Sequence, residues 1–438
     1  MDPAEHLFRQ EAGRLVAILT RLFGVHNLAL AEDVVQDAFC RALESWKFHG
    51  LPKNPSAWLM TTAKNRALEI LRREGTARKF APELGRLLES EWTLAPAVEE
   101  HFEPAAIQDG QLRMMFSCIH PGIPEETQLA LILHLLCGFS VEETAAAFLK
   151  KAAAMEKRIG RAKKTLAGSR RLFNLAGAGD VAERLPAVLR ALYLLFNEGY
   201  HGASAESPVR GELCAEARRL VSLLVDNPQT TTPAAHALTA LLCFLAARLP
   251  GRLDAAGNLT LLVDQDRSSW DRALIAEGRR QLGLSAAGSE VTAYHLEAAI
   301  ADLHARAARP EDTDWSGIIA LYDMLMKIQP SPVVALNRAV ALAQRDGPGR
   351  GLEAIALITD RERLARYPFY FAAMGEFELR LARRDEAREH FQAALTLARN
   401  PVERRFLEGR VRECGDVSPR RCPKSQPTVR SRAPRTFP

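Results

Sequence analysis

Cysteine is scarce and unpaired in this chain. Seven residues among 438, Cys40, Cys118, Cys137, Cys214, Cys243, Cys414 and Cys422, are scattered and odd in number, with no Cys-x-x-Cys spacing. That argues against a disulfide scaffold and for reduced thiols on apolar faces. Cys118-x-His120 is the nearest approach to a metal pair, and a core cysteine is the better reading, so neither metal nor cofactor is expected. The chain also lacks a Gly-x-x-x-x-Gly-Lys-Ser/Thr loop, a Gly-x-Ser-x-Gly elbow and a His-Glu-x-x-His pair, which weighs against an enzyme. No apolar run approaches the roughly 20 residues of a membrane span. The start, Met1-Asp-Pro-Ala-Glu-His6, has no basic-then-apolar leader, so the expected location is the cytoplasm, without a membrane partner. Alternating strand patterns of useful length are missing as well, which leaves an all-α chain.

What is present is an ordinary globular composition, 47% apolar and 25% charged, enough for about two or three domains. The net charge of +5 is mild, but its distribution is uneven. Nine Lys or Arg lie between Phe148 and Leu172 against one acid, Glu156. A second basic stretch, Ser418 to Pro438, carries six basic residues, five prolines and no acid, a composition that cannot build a core and reads as disordered.

The organising stretch runs from Ala31 to Trp46. Val34, Val35, Ala38, Phe39, Ala42, Leu43 and Trp46 recur at three- and four-residue steps and form one apolar stripe. Asp33, Gln36 and Asp37 lie outside it, two carboxylates one turn apart with an amide between. A helix from Arg9 to Phe23 precedes it, and a loop, Lys47 to Pro55, follows. Ser56 is the expected N-cap of the next helix, Ala57 to Arg73. That helix buries Trp58, Leu59, Ala63, Ala67, Ile70 and Leu71, and its other face shows Lys64, Asn65 and Arg66, charge for phosphates and an amide for a base edge. Phe48, His49 and Asn54 supply the stacking surface and edge hydrogen bonds that a flipped base needs.

Glu32-Asp-Val-Val-Gln-Asp-Ala-Phe39 and Trp58-Leu-Met-Thr-Thr-Ala-Lys-Asn-Arg-Ala67 resemble the two halves of region 2 in bacterial sigma-70 factors of the extracytoplasmic-function group. The resemblance implies that Asp33, Gln36 and Asp37 dock on the coiled coil of the polymerase β′ subunit. It also implies that Phe48 to Asn54 and Asn65 capture the melted −10 element.

After a proline-containing, acidic linker come short helices from Leu112 to Cys118 and from Glu125 to Cys137. Ser140-Val-Glu-Glu143 has capping-box form and opens a small helix to Leu149, and Ala153 to Thr165 carries the basic cluster. Two short helices, the second strongly basic, read as helix-turn-helix. This is similar to region 4 of the same family, the −35 reader. Lys157, Arg158 and Arg161 are then candidate base or phosphate contacts, and Lys163 and Lys164 phosphate contacts. Lys150-Lys-Ala-Ala-Ala154 stands where the family usually has a sequence such as Val-Pro-Glu-x-Thr, so a proline and a polar capping group are missing.

Beyond Leu175 the chain continues as helices: Val181 to Phe196, Gly211 to Val225, Pro233 to Arg248, Trp270 to Gln281, Val291 to Ala307, Trp315 to Ile328 and Val333 to Gln344. Gly177-Ala-Gly179 reads as a hinge, and Gly347-Pro-Gly-Arg-Gly351 as a break. Phe371, Met374, Gly375, Ala387, Phe391 and Ala394 fall at tetratricopeptide-like offsets. Leu192 to Tyr200, Leu213 to Ala217, Leu262 to Arg272, Asp314-Trp315 and Pro330 to Asn337 resemble segments of a sigma subgroup with a fused helical, tetratricopeptide-like extension. Asp264, Asp266, Arg267, Asp271 and Arg272 beside Trp270 read as a buried acid–arginine network between helices rather than an active site.

The expected organisation is region 2 at 8–75, a linker at 76–109, region 4 at 110–175, the helical extension at 180–414 and a basic tail at 415–438. The function this implies is a sigma factor whose partners are core RNA polymerase, through its β′ and β subunits, and promoter DNA. Its extension regulates or supports it, with intramolecular contact between the extension and the sigma modules. The alternatives are a helix-turn-helix regulator that never touches polymerase and an enzyme housed in the extension. The Asp33, Gln36 and Asp37 helix separates the first of these, since such a regulator needs no docking element.

Overall fold

The computed structural model describes residues 3–73, 109–148, 150–168, 178–201, 209–398 and 400–415. Most of the expected linker and the tail beyond Gly415 lie outside the described residues. Among those described the chain is all-α, and the one β-bridge joins Leu253 to Leu259.

Three helices form the first module: α1 (Pro3–Phe23), α2 (Leu28–His49) and α3 (Pro55–Arg73). Helix α2 is longer than its apolar stripe. Asn27 Nδ2 donates to Phe23 O (2.7 Å) at the corner before it, and Gly50 stops it with φ +74°, a left-handed value that glycine adopts without strain. Val34, Val35, Ala38, Phe39 and Ala42 are buried as the periodicity predicts, but Leu43 is 52% exposed. It falls at the margin of the stripe, beside the fully buried Ala42. Ser56 is not the cap of α3. Asn54 Oδ1 accepts from Ala57 N (3.0 Å) and Asn54 O from Trp58 N (3.1 Å), because Pro55 takes the first helical position, where its missing N–H costs nothing.

The second module contains α4 (Gly110–Cys118), α5 (Glu125–Leu136), α6 (Val141–Ala147) and α7 (Ala152–Ala167). Asp109 caps α4 through the amides of Gln111 and Leu112. The capping box of α6 is formed: Ser140 N donates to Glu143 Oε2 (2.8 Å), and Glu143 N to Ser140 Oγ (3.1 Å). Lys151, at the N-cap of helix α7, makes no side-chain cap, as the missing polar group in Lys150–Ala154 predicts.

The extension runs α8 (Ala178–His201), α9 (Gly211–Asp226), α10 (Pro233–Ala247), α11 (Arg272–Ser285), α12 (Ala293–Arg306), α13 (Trp315–Ile328), α14 (Pro332–Asp346), α15 (Pro348–Ala356), α16 (Pro368–Arg380), α17 (Arg384–Thr396) and α18 (Pro401–Gly415). Two expected breaks are helical. Gly179 lies in the first turn of α8, and Gly347-Pro348 opens α15, with proline again at its start. The expected helix at Trp270 begins only at Arg272, because Asp271 caps it through the amides of Ala273 and Leu274. The stretch Pro233–Gly251 is long and apolar enough to cross a membrane by length and composition, yet two-thirds of it (67%) is buried inside the fold. His236, Thr239 and Arg248 interrupt its sequence. The hairpin of α16 and α17 closes on Gly375, where a Cβ would lie 2.9 Å from the Phe391 ring, so the close approach anticipated for that glycine is present.

One hydrophobic core runs without interruption from Ala12 in α1, through Leu59, Leu133 and Ile159, to Phe244 and Ala305 in α12. The two sigma-like modules and the first part of the extension therefore share a single interior. Smaller separate cores, around Phe377 and Phe391, hold the later hairpins.

Candidate nucleic-acid interface

On α2 the side chains of Asp33, Gln36 and Asp37 are exposed, as their position beside the stripe requires. Asp37 is also paired: Arg66 Nε of α3 donates to its Oδ2 at 3.1 Å, while Arg66 Nη1 donates to Glu69 Oε2 at 2.8 Å. These carboxylates raise the Arg66 pKa, Glu69 most. Arg66 thus joins the acidic face of α2 to the basic face of α3. Asn65 is exposed beside it, and Lys64 is half-buried, with its pKa lowered by that burial.

Among the described large apolar side chains, only Leu357 is more exposed than Phe48 at the end of α2. Phe48 is 80% exposed, with Leu51 nearby in the loop. His49 Nδ1 donates to Ser45 O (3.0 Å), which leaves Nε2 as an acceptor. Asn54 is exposed, but its Oδ1 is spent on the α3 cap, so its NH₂ is the group left for a base edge.

Helix α7 buries Met155, Ile159, Ala162 and Leu166 at steps of three and four. Lys157, Arg161 and Lys164 project to solvent on its other side, with Arg161 Nε bonded back to Lys157 O (3.3 Å). The remaining two candidates are engaged within the protein. Arg158 Nη1 donates to Glu126 Oε1 at 3.2 Å, where Lys150 Nζ also stands 3.5 Å away. Lys163 Nζ donates to Glu32 Oε1 of α2 at 2.6 Å. Burial raises the Glu32 pKa, and Lys163 counteracts it. The basic cluster is legible in the sequence, but not the acids that hold two of its five candidate contacts, since Glu32 and Glu126 approach α7 only through tertiary packing.

Groups of the extension also hold the helix-turn-helix. Arg210, immediately before α9, is 1% exposed; its Nη1 donates to Glu143 Oε1 (2.5 Å), Nη2 stands 3.5 Å from Glu198 Oε1, and the guanidinium lies 5.5 Å from the Phe139 ring centre. Arg219 Nη1 donates to Asp109 Oδ2 (3.0 Å), and Arg184 Nη1 to Phe116 O (3.2 Å). Arg210 carries no local sequence signal, being an isolated basic residue just before α9.

The cluster at Trp270 is structural, though not as an acid–arginine network. Buried Arg267 donates to the carbonyls of His304 (2.9 Å) and Ala307 (3.0 Å) and to Thr313 Oγ1 (3.0 Å). Asp266 and Asp271 instead cap helical turns. Backbone carbonyls at the end of α12 offer the guanidinium acceptors without the cost of burying a carboxylate.

Two family models match in the order that the modules fold: Sigma-70 region 2 over residues 7–76 and Sigma-70, region 4 over residues 113–166. The chain belongs to the sigma-70 family. It is a sigma factor of the extracytoplasmic-function group, a DNA-binding transcription initiation factor that directs core RNA polymerase to promoters. The extension of this sigma factor matches a family of unknown function, DUF6596, over residues 184–286. Over 383 residues the sigma factor is 40% identical to the Uncharacterized protein R00370 of Rhizobium meliloti (strain 1021), covering 87% of this chain and 89% of that protein. Over 166 residues it is 28% identical to the ECF RNA polymerase sigma factor SigE of Mycolicibacterium smegmatis, covering 38% of this chain and 61% of that protein. No solved structure matches the chain.

Proposed function

We propose that this sigma factor engages the β′ coiled coil of core polymerase through Asp33, Gln36 and Asp37, and that its helix-turn-helix module meets the β subunit. Phe48 and His49 receive an unstacked base of the −10 element, with Asn54 and Asn65 reading its edge and Lys64 and Arg66 neutralising the adjoining phosphates. Lys157, Arg158 and Arg161 read the −35 element, and Lys163 and Lys164 hold phosphates. For Arg158 and Lys163 this means exchanging Glu126 and Glu32 for DNA. The working units are region 2 at 8–75, region 4 at 110–175 and the extension from 180 to 414, which seats and regulates the other two. The factor acts in the cytoplasm, where polymerase is.

The observation that carries this reading is the arrangement of α2. Its exposed Asp33 and Gln36 form one continuous surface with an open aromatic, Phe48, at the helix end. A DNA-binding regulator needs neither feature. The test is run-off transcription with purified core polymerase on a pool of promoter fragments. The full chain should yield discrete start sites, and the variants Gln36→Ala and Phe48→Ala should lose them. Initiation that is no more specific than that of core enzyme alone would overturn the assignment.

A further inference from the structure

Helix α1 of region 2 lies directly against α5 of region 4. A Cβ at Gly13 would fall 2.1 Å from the carbonyl oxygen of Leu136, so the two backbones touch there. The Lys163–Glu32 pair closes the same seam from the other side. Elements near −10 and −35 are about 25 base pairs apart, roughly 85 Å of duplex at ~3.4 Å per base pair. A helix of 20 residues spans only about 30 Å. The two modules therefore part before both elements are read.

The seam leaves a half-open cavity of about 380 Å³, within the size range of small-molecule sites. Ala12, Val16 and Val35 of region 2 form one apolar wall, and Leu135 and Phe139 of region 4 form the other. Its polar lining is rich in acceptors. Glu32 accepts from Lys163 with Oε1, and among the described residues no hydrogen bond reaches its Oε2. His134 Nδ1 donates to Phe139 O (2.9 Å), which fixes the tautomer with an accepting Nε2. Burial, and after it the nearby Lys163, lower the His134 pKa, against the bond to Phe139 O and the charge of Glu142. Gln36, Ser140 and Glu143 complete the polar rim, and no lysine or arginine is among the lining residues. Lys163 and Arg210 pair with the two carboxylates without lining the cavity. An apolar slot with unused acceptors and no cationic lining suits a ligand that brings hydrogen-bond donors and positive charge on an apolar body.

We propose that this cavity binds a small organic amine with an apolar or aromatic body, and that its occupation holds regions 2 and 4 together and lowers initiation. The binding site stands on the cavity alone; the effect on initiation rests on the sigma reading above. A ligand that contacts both walls has affinity only for the closed arrangement and shifts the population toward it.

The test titrates the full chain by calorimetry with phenethylamine, and with phenylacetate as a probe of the same size and opposite charge. Phenethylamine should bind and phenylacetate should not, and Glu32→Gln should weaken the amine at least tenfold. Cavity filling by Ala12→Leu should abolish binding. Should that variant misfold, amide exchange on the parent chain decides instead: the amine should protect residues 12–36 and 134–143 and leave the hairpin of α16 and α17 unchanged. Equal binding of the two probes, no binding of the amine, or protection elsewhere would overturn the site. In run-off transcription the amine should reduce initiation by the parent and spare Glu32→Gln at the same dose. An amine that binds without reducing initiation would overturn the locking role. Absence of any directed initiation would instead count against the sigma reading, while the calorimetry still decides the site.

Discussion

Arg210 Nη1 stands 2.5 Å from Glu143 Oε1, and Glu143 is the same residue whose other carboxylate oxygen completes the capping box of α6. An extension residue thus fixes the first helix of the DNA reader through a nearly waterless ion pair. Removing the cation leaves Glu143 and Glu198 with no guanidinium between them. Breaking a buried pair from one side costs about 3–5 kcal/mol. We expect Arg210→Met to lower unfolding stability by that order and Arg210→Met/Glu143→Gln to recover part of it. Urea denaturation followed by circular dichroism measures both. Equal loss in the single and double variants would show that packing, not charge, matters at Arg210.

The seam at Gly13 has no room for a side chain, because the nearest atoms of Leu136 are backbone and cannot rotate away. Gly13→Ala should therefore cost about 1–3 kcal/mol, as overpacking does. Gly160 in α7 is the contrast, since nothing lies within 4 Å of a Cβ there. Gly160→Ala should stabilise by roughly 0.5–1 kcal/mol through the helix backbone. Thermal melts of the two variants should move in opposite directions, and a shared direction would contradict the packing described.

Lys163 and Lys164 are adjacent but differently placed. Lys164 is exposed, whereas Lys163 is 25% exposed and bonded to Glu32. Lys164→Ala should leave stability within about 0.5 kcal/mol. It should weaken binding to all DNA sequences alike and flatten the salt slope by about one unit. Lys163→Ala should add a stability loss of about 1 kcal/mol, because Glu32 is left half-buried without its partner. Filter binding at several salt concentrations, beside melting curves, separates the two. Identical behaviour would mean that the Glu32 pair contributes nothing in solution.

Asp33 is exposed, and Asp37 shares Arg66 with Glu69. Asp33→Lys should change stability by less than about 0.5 kcal/mol and should sharply reduce capture of core polymerase. Asp37→Lys should do the same to capture while also repelling Arg66, a contact that solvent screens and that carries little stability. A folded Asp33→Lys variant that retains core polymerase normally would remove this face from the docking surface.

The elements were legible because each announces itself over neighbouring residues. The stripe of α2, the box Ser140 to Glu143 and the small Gly375 opposite Phe391 all depend on spacings of three, four or one hairpin. The misplacements share a local cause too. Pro55 ends the expected loop and Pro348 lies in an expected break, although proline at a first helical position starts a helix, with Asn54 as the cap in one case. What the sequence could not display is long-range pairing. Lys163 meets Glu32 across 131 positions and Arg210 meets Glu143 across 67. The basic face of α7 therefore looked wholly free for DNA, although two of its five candidate contacts are held by acids. The uninterrupted core from Ala12 to Ala305 was equally hidden, because periodicity identifies a buried face but not what covers it.

Glu297 of α12 provides a pH-dependent test of that shared core. It accepts a hydrogen bond from Tyr193 Oη of α8 (3.1 Å), and burial lifts its pKa from the ordinary 4.5 to about 7. An acid whose folded pKa is raised binds more protons in the folded state than in the unfolded state between those two values. Its contribution is complete below pH 4.5, falls as pH rises towards 7, and stays lost above that. Glu297→Gln keeps an acceptor for Tyr193 and removes the titration. The variant and the parent should therefore be nearly equal in stability at pH 4.5. At pH 8 the variant should be more stable by on the order of 2 kcal/mol, given ~1.4 kcal/mol per pKa unit and some residual water at the carboxyl. Urea denaturation of both chains at pH 4.5, 6 and 8 checks the sign. A difference that is constant with pH would mean that Glu297 ionises normally and that α8 and α12 do not exclude water around it.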